Sequence, residues 1–117
     1  MLIRIKNLRL RTIIGVEDWE RRDKQDVVVN AEIEVDASRA AESDDLTKTV
    51  DYKTITKDII RAVEGSDFRL LETLAQHVLK IILQHEGVLA ARVEVDKPHA
   101  LRFADSVSVF CWGRKTE

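Results

Sequence analysis

The sequence has few of the residues that mark several common protein classes. A single cysteine, Cys111, excludes an internal disulfide, and its place in an apolar stretch predicts a buried thiol. Proline occurs once and the four glycines are scattered, so no glycine-rich loop could cradle a phosphate. No apolar run approaches membrane-spanning length, and the charged start MLIRIKNLRLR does not fit a signal peptide. We therefore expect a cytoplasmic protein without a membrane partner.

The sequence also has too little excess positive charge to indicate a nucleic-acid-binding protein and too few suitably spaced ligands to indicate a metal site. The net charge is −2, which gives no overall positive field to attract nucleic acid. The histidines, His77, His85 and His99, lack metal-ligand spacing, and there is no second cysteine. No serine or cysteine nucleophile stands beside an organised base in the pattern. We expect neither a metal nor a cofactor.

The residues that are present predict one globular domain over 1–117, with 44% hydrophobic and 34% charged residues. Alternation of apolar and polar residues predicts one strand over 2–15, with a bulge at Asn7 and Leu8, and another over 26–36. VLAARVEV and VSVFCWG predict strands on either side of residues 96–106. Their connection would then take about nine residues, more than a hairpin needs.

Two stretches between the strand pairs carry apolar residues at helical spacing, over 52–63 and 70–82. The residues able to cap or end them are Asp51 for the first helix and Ser66, Asp67 and Gly87 for the second. The order ββααββ predicts an α+β fold, with a four-stranded antiparallel sheet and two helices on one face. The unpaired sheet edges fit either a monomer with a solvated outer face or self-association into a larger barrel.

Four short stretches could carry chemistry: GVEDWER at 15–21, TVDY at 49–52, LLETLAQ at 70–76 and DKPHALRFADS at 96–106. Each also has a simpler structural explanation. The helix dipole alone favours a glutamate at the position of Glu72, and Lys97 could be a solvated loop residue. Tyr52 could be a core aromatic, and Glu20 a surface carboxylate. No single stretch is specific.

Together, in this order and at these spacings, the four stretches resemble the dihydroneopterin aldolase and dihydroneopterin triphosphate epimerase family over nearly the whole chain. HALRFADSVS is similar to the epimerase branch, whereas Lys-Pro and TVDY fit the aldolase branch equally well. The resemblance implies the tunnelling fold, a ββααββ unit whose sheets join into a ring-shaped β-barrel. It also implies a homo-octamer of two stacked tetrameric rings, with active sites between adjacent subunits.

The resemblance further implies a pterin substrate and residues that would bind it. Glu72 would hold the guanidine-like edge of the pterin with two parallel hydrogen bonds. Backbone groups of Val50, Asp51 and Leu71 would complete the polar contacts of the ring. Since a planar guanidinium suits phosphate oxygens, Arg102 is a candidate for binding a triphosphate, and His99 is a weaker one.

The resemblance assigns three residues to catalysis. Lys97 would transfer protons during a retro-aldol cleavage between C1′ and C2′ of the substrate side chain. Tyr52 would relay protons, and Glu20 would orient the substrate hydroxyls or the lysine across the subunit boundary. The pterin's own C=N group would accept the electrons, so the reaction needs no cofactor.

Several activities are compatible with these residues. Epimerisation at C2′ of dihydroneopterin triphosphate is the leading prediction, and aldolase cleavage of unphosphorylated dihydroneopterin is the alternative. A ring-forming scaffold that binds a pterin through Glu72 without turnover would have no use for Tyr52 and Lys97. A zinc-dependent enzyme similar to a cyclohydrolase or to pyruvoyl-tetrahydropterin synthase is disfavoured by the placement of the histidines.

Overall fold

The chain folds into one antiparallel sheet with helices on one face. The computed structural model describes residues 1–116. The strands lie in the order β1-β2-β3-β4, and the ββααββ order is as predicted. The elements are β1 (Leu2–Thr12), β2 (Gln25–Val35), α1 (Ser38–Ser43), a 3₁₀ turn (Leu46–Lys48), α2 (Tyr52–Glu64), α3 (Leu71–Leu83), β3 (Val88–Pro98) and β4 (Ser106–Arg114).

The core lies between the sheet and the two long helices. Every second residue of the central strands faces the helices and is almost fully buried, because side chains alternate between the faces of a strand. These strand residues are Val27, Val29, Ala31, Ile33 and Val35 of β2 and Ala91, Val93 and Val95 of β3. The helices contribute fully buried side chains at helical spacing, namely Ile55, Ile59 and Val63 from α2 and Leu74, Val78 and Ile82 from α3.

Strand β1 contains the predicted bulge but is shorter than predicted. Its register against β2 shifts between Ile5 and Leu8, and Asn7 adopts a φ of 53°. The strand ends at Thr12, where the predicted strand continued to residue 15. The Thr12 hydroxyl donates to the carbonyl of Ser66 at 2.9 Å, so the chain turns away from the sheet toward the segment between α2 and α3.

The helix ends test the capping predictions. Asp51 caps α2 as predicted, since its carboxylate accepts a hydrogen bond from the Lys53 N–H at 3.0 Å. The prediction for α3 was wrong: the helix begins at Leu71 without a side-chain cap. The Ser66 hydroxyl donates instead to the Val63 carbonyl at 2.7 Å, closing the end of α2. Gly87, with a φ of 90°, lies in the turn before β3, beyond the end of α3.

The face of the sheet away from the helices is polar, with two exposed aromatics, Phe110 and Trp112. An ion pair between Glu34 and Arg114 joins β2 to β4 across this face, at 3.1 Å. Strands β1 and β4 are the edges, and Cys111 on β4 is half-buried where full burial was predicted, because an edge strand is covered less. None of the helices in residues 1–116 is both long and apolar enough to cross a membrane.

Candidate active site

Lys97 lies in strand β3, where the sequence placed it at the start of a loop. Asp96, Lys97 and Pro98 pair with Ser108, Val107 and Ser106 of β4, so the connection covers only residues 99–105. Strand β3 pairs with β2 only as far as Asp96. Pro98 therefore has no β2 partner, and the backbone N–H that it lacks is not needed for pairing on that side. Lys97 continues the alternation of the buried β3 residues, which directs its side chain toward the helix-covered face.

Glu20 comes from the loop between β1 and β2 and meets Lys97 inside the same chain. The Lys97 ammonium donates to Glu20 Oε2 at 2.5 Å. The side chains of Glu20 and Lys97 are only 8% and 14% exposed, so water is largely excluded from this ion pair. The resemblance implied that Glu20 acts on the substrate hydroxyls or on the lysine across a subunit boundary, whereas in this structure Glu20 and Lys97 meet within one chain.

Two further donors hold the Glu20 carboxylate. Gln25 Nε2 donates to Oε2 at 3.0 Å, and the backbone N–H of Glu17 donates to Oε1 at 3.1 Å. The Gln25 amide also donates to the carbonyl of Ile14 at 2.6 Å, which ties the start of β2 to the loop. The carboxylate is therefore fixed from three directions.

Gly15 creates the space that Glu20 fills. A β-carbon at this position would lie 2.2 Å from the carboxyl carbon of Glu20, and the φ of 125° is one that L residues rarely adopt. Arg21 fixes the loop beside it by donating to the carbonyls of Gly15, Asp67 and Phe68. A residue without a side chain is thus required where the loop folds over the carboxylate.

The environment of Glu20 determines its charge. Burial raises the pKa of Glu20, but the hydrogen bonds from Lys97, Gln25 and Glu17, with the positive charge of Lys97, outweigh it and lower the pKa to about 2. Glu20 is therefore an anion at neutral pH. The pair presents an ammonium group held in place by a buried, ionised carboxylate.

Glu72 and Leu71 lie at the same end of the molecule as this pair. They form the first turn of α3, directly after the segment 65–70 to which the loop of Glu20 is tied by Arg21 and by the Gly15 N–H. Leu71 is buried, whereas Glu72 is exposed. Within residues 1–116 the Glu72 carboxylate forms no ion pair, so it remains available to a ligand.

Val50, Asp51 and Tyr52 lie at the opposite end. Val50 packs against Gly87, where an added β-carbon would be 3.0 Å from Val50 Cγ2, and Gly87 directly precedes β3. Lys97 is near the far end of that strand, which corresponds to about 30 Å at ~3.3 Å per residue. Tyr52 is 56% exposed and cannot be the core aromatic of the simpler explanation. A single chain therefore does not bring all of the predicted site residues together.

The loop 99–105 carries the two candidate phosphate ligands. His99 adopts a φ of 65°, and the Arg102 guanidinium lies 5.5 Å from the centre of the Phe103 ring. No carboxylate of residues 1–116 is within 4.0 Å of Arg102, so the surface salt bridge that would be its simplest explanation is absent there. Both residues are exposed at the end of the sheet where Lys97 lies.

Sequence reasoning missed Gln25. The available signal was its phase, because Gln25 occupies the same face as the buried valines of β2 and is the polar member of that row. Among residues 1–116, no three histidine, cysteine or acidic side chains converge in a way that could hold a metal ion. The polar groups at the site are thus an ion pair, an amide and backbone donors.

Known proteins are similar to this chain in sequence and in fold. A family model described as dihydroneopterin aldolase matches residues 3–112. A relative from Escherichia coli (strain K12) named dihydroneopterin triphosphate 2′-epimerase is 50% identical over 114 residues, covering 97% of this chain and 95% of the relative. A Pseudomonas aeruginosa protein of the same name is 49% identical over 113 residues, covering 97% and 92%.

Aldolases are similar at lower identity. A dihydroneopterin aldolase from Streptomyces coelicolor is 38% identical over 98 residues, which cover 84% of this chain and 82% of the relative. The crystal structure of the Escherichia coli dihydroneopterin aldolase in complex with neopterin superposes with a TM-score of 0.92, at 32% identity, over 97% of this chain and 98% of that one. This chain belongs to the dihydroneopterin aldolase family.

Proposed function

We propose that this protein epimerises 7,8-dihydroneopterin triphosphate at C2′, giving dihydromonapterin triphosphate. The observation that carries the proposal is the identity of 50% to a relative named as this epimerase, against 38% to a relative named as an aldolase. The largely buried Lys97–Glu20 pair would supply the proton-transfer group that such chemistry needs. We propose the cytoplasm, in which a lone cysteine stays reduced, as the compartment.

Binding of the pterin would rest on Glu72. Its carboxylate can accept two parallel hydrogen bonds from a ring N–H and the neighbouring amino group, and such charge-assisted pairs are strong. Glu72 is exposed in a single chain, and exclusion of water by a neighbouring subunit would strengthen this pair. Backbone groups of Leu71, Val50 and Asp51 would bind the remaining polar atoms of the ring.

The chemistry would be a retro-aldol cleavage followed by its reversal. Loss of the 2′-hydroxyl proton breaks the C1′–C2′ bond, and its electron pair moves into the C=N group of the pterin. The aldehyde turns, presents its other face and is added back, which restores the hydroxyl and inverts C2′. The Lys97 ammonium, held by Glu20, would protonate the nitrogen of the C=N group as it receives the electron pair. The amine so formed would take up the hydroxyl proton directly or through a water, Tyr52 would relay it, and re-addition would return both protons.

The triphosphate would be bound by the loop 99–105. Arg102 has no carboxylate partner in residues 1–116 and is stacked on an exposed phenylalanine, which leaves its N–H groups for phosphate oxygens. His99 in the same loop would add a second donor. This loop is where the epimerase-like sequence HALRFADSVS begins.

Val50 lies beside the start of β3 and Lys97 near its other end, roughly 30 Å along the strand at ~3.3 Å per residue, and this separation supports a shared site. We propose that the protein forms a homo-octamer of two stacked tetrameric rings, in which Val50, Asp51 and Tyr52 of one subunit complete the site of another. The unpaired edges of β1 and β4 offer the surfaces through which such rings close.

The test supplies the purified protein with dihydroneopterin and with its triphosphate in separate reactions, followed by phosphatase treatment and separation of the pterins. We expect the triphosphate to give the C2′ epimer, with slow cleavage of free dihydroneopterin. Arg102→Ala should raise KM for the triphosphate about tenfold, because it removes charge-assisted hydrogen bonds. Arg61→Ala, which removes an exposed arginine of α2, is the matched control.

The alternative is an aldolase, and the match of the dihydroneopterin aldolase family model to residues 3–112 favours it as the second candidate. Rapid release of 6-hydroxymethyl-7,8-dihydropterin and glycolaldehyde from unphosphorylated dihydroneopterin would establish this activity and make Arg102 a surface residue. Absence of turnover of either substrate, with the pterin still bound, would leave a binding protein.

A further inference from the structure

We propose that Gln25 is a positioning residue for the reaction: its side-chain amide fixes the Glu20 carboxylate against the Lys97 ammonium. This inference deepens the proposed function and rests on it for its catalytic consequence. Gln25 Nε2 donates both to Glu20 Oε2 at 3.0 Å and to the Ile14 carbonyl at 2.6 Å. One amide group therefore holds the acceptor of the lysine and the loop that carries it.

The geometry assigns Gln25 a role that packing alone does not require. The half-buried Gln25 side chain continues the row of buried valines on β2, and placing a polar group against that row is costly unless its hydrogen bonds are satisfied. An apolar residue would extend the core without that requirement. Gln25 and Lys97 donate to the same oxygen of the Glu20 carboxylate, and together they hold that oxygen in one position.

The effect on Glu20 is electrostatic as well as geometric. Glu20 is faced by Lys97 from β3 and by the Glu17 N–H from its own loop, and Arg21 donates to the Gly15 carbonyl beside it. Removing the Gln25 donor leaves a buried carboxylate with one hydrogen bond fewer, which favours its protonated form. With a pKa between about 2 and its ordinary value of 4.5, Glu20 stays ionised at neutral pH, so the loss of activity expected there comes from its displaced position.

Gln25→Leu tests this directly, because it keeps the size of the side chain and removes the amide. We expect kcat to fall about tenfold with KM changed less than twofold, since one hydrogen bond that orients the reacting group is lost. NMR titration of the Glu20 carboxyl carbon should show its pKa moving upward from about 2 toward its ordinary value of 4.5. This titration needs no substrate, so it tests the role of Gln25 even if the proposed activity is wrong.

Gln25→Glu provides a second test with a signature that a structural role would not give. When the introduced carboxyl group is protonated, it can donate a hydrogen bond to Glu20. When it is ionised, it repels the Glu20 carboxylate. We expect activity to fall as the pH rises through the titration of this carboxyl pair. The pH profile of the parent protein should lack this falling limb. Thr12→Val is the control, because it removes a buried hydrogen bond to Ser66 at the same end without touching Glu20.

Two results would overturn the proposal. One is a Glu20 titration that stays at the parent value in Gln25→Leu. The other is a loss of kcat no larger than in Thr12→Val, with no new limb in the pH profile of Gln25→Glu. Either would reduce Gln25 to a residue that ties the loop to Ile14.

Discussion

At the scale of single residues, the candidate site depends on one buried carboxylate. Glu20 has a pKa of about 2, below its ordinary 4.5, so it stabilises the fold above pH 4.5 and loses this contribution as the pH falls toward 2. The full contribution is roughly 3 kcal/mol, of which about 2 kcal/mol is lost by pH 3. Urea unfolding at pH 7 and pH 3 measures how much free energy of unfolding is lost on acidification. This loss should be smaller for Glu20→Gln than for the parent. Equal losses would contradict the assignment.

Gly15 makes that carboxylate possible. In Gly15→Ala the added β-carbon would occupy the position of the Glu20 carboxyl group, at a φ that strains alanine as well. We expect activity to fall about 100-fold, because Glu20 and with it Lys97 are displaced. Gly113→Ala is the control, since its β-carbon would meet only ordinary contacts of 3.5 Å with Leu79 and Leu83. Full activity of Gly15→Ala would show that the loop can fold differently.

The sequence shows which residue types belong to the site but not how they meet. Lys97 and Glu72 can be named from short motifs, because each motif is local. The contact between Glu20 and Lys97 joins residues 77 positions apart, and no local pattern encodes it. Gln25 is missed because its role depends on its contact with Glu20, which the sequence does not show.

At the scale of helices and strands, the features that depend only on nearby residues were predicted correctly. The bulge at Asn7 and the Asp51 cap depend on residues within a few positions. The start of α3 does not follow it, because Ser66 is used to close α2 and to bind Thr12. The end of β3 is also misjudged, since pairing with β4 extends that strand through a proline.

The Asp51 cap gives a prediction at this scale. Asp51→Ala removes the acceptor of the Lys53 N–H at the start of a thirteen-residue helix and should lower the free energy of unfolding by about 1 kcal/mol. Asp45→Ala removes the same kind of cap from a three-residue 3₁₀ turn and should cost less. The two variants are compared by denaturant unfolding at neutral pH. An equal cost would mean that the cap does not act through the helix.

At the scale of the whole molecule, the proposed catalytic residues fall into two groups at opposite ends. If sites are shared between subunits, Lys97→Ala and Tyr52→Phe would each be inactive alone. Unfolded and refolded together in equal amounts, they should recover about one quarter of the parent activity, the share of sites that combine two intact halves. Recovery of none would place both residues in a site within one chain.

If sites are shared between subunits, activity depends on the concentration of the protein. In the proposed assembly, a subunit released from its neighbours would keep its fold, its ion pair and the glutamate proposed to bind the pterin, but it would lack the tyrosine of another copy. Activity per subunit should therefore fall as the protein is diluted below the dissociation constant of its assembly, whereas the activity of a self-contained enzyme would stay constant. The sheet edges that bring copies together would then control the rate as directly as the residues that move the proton.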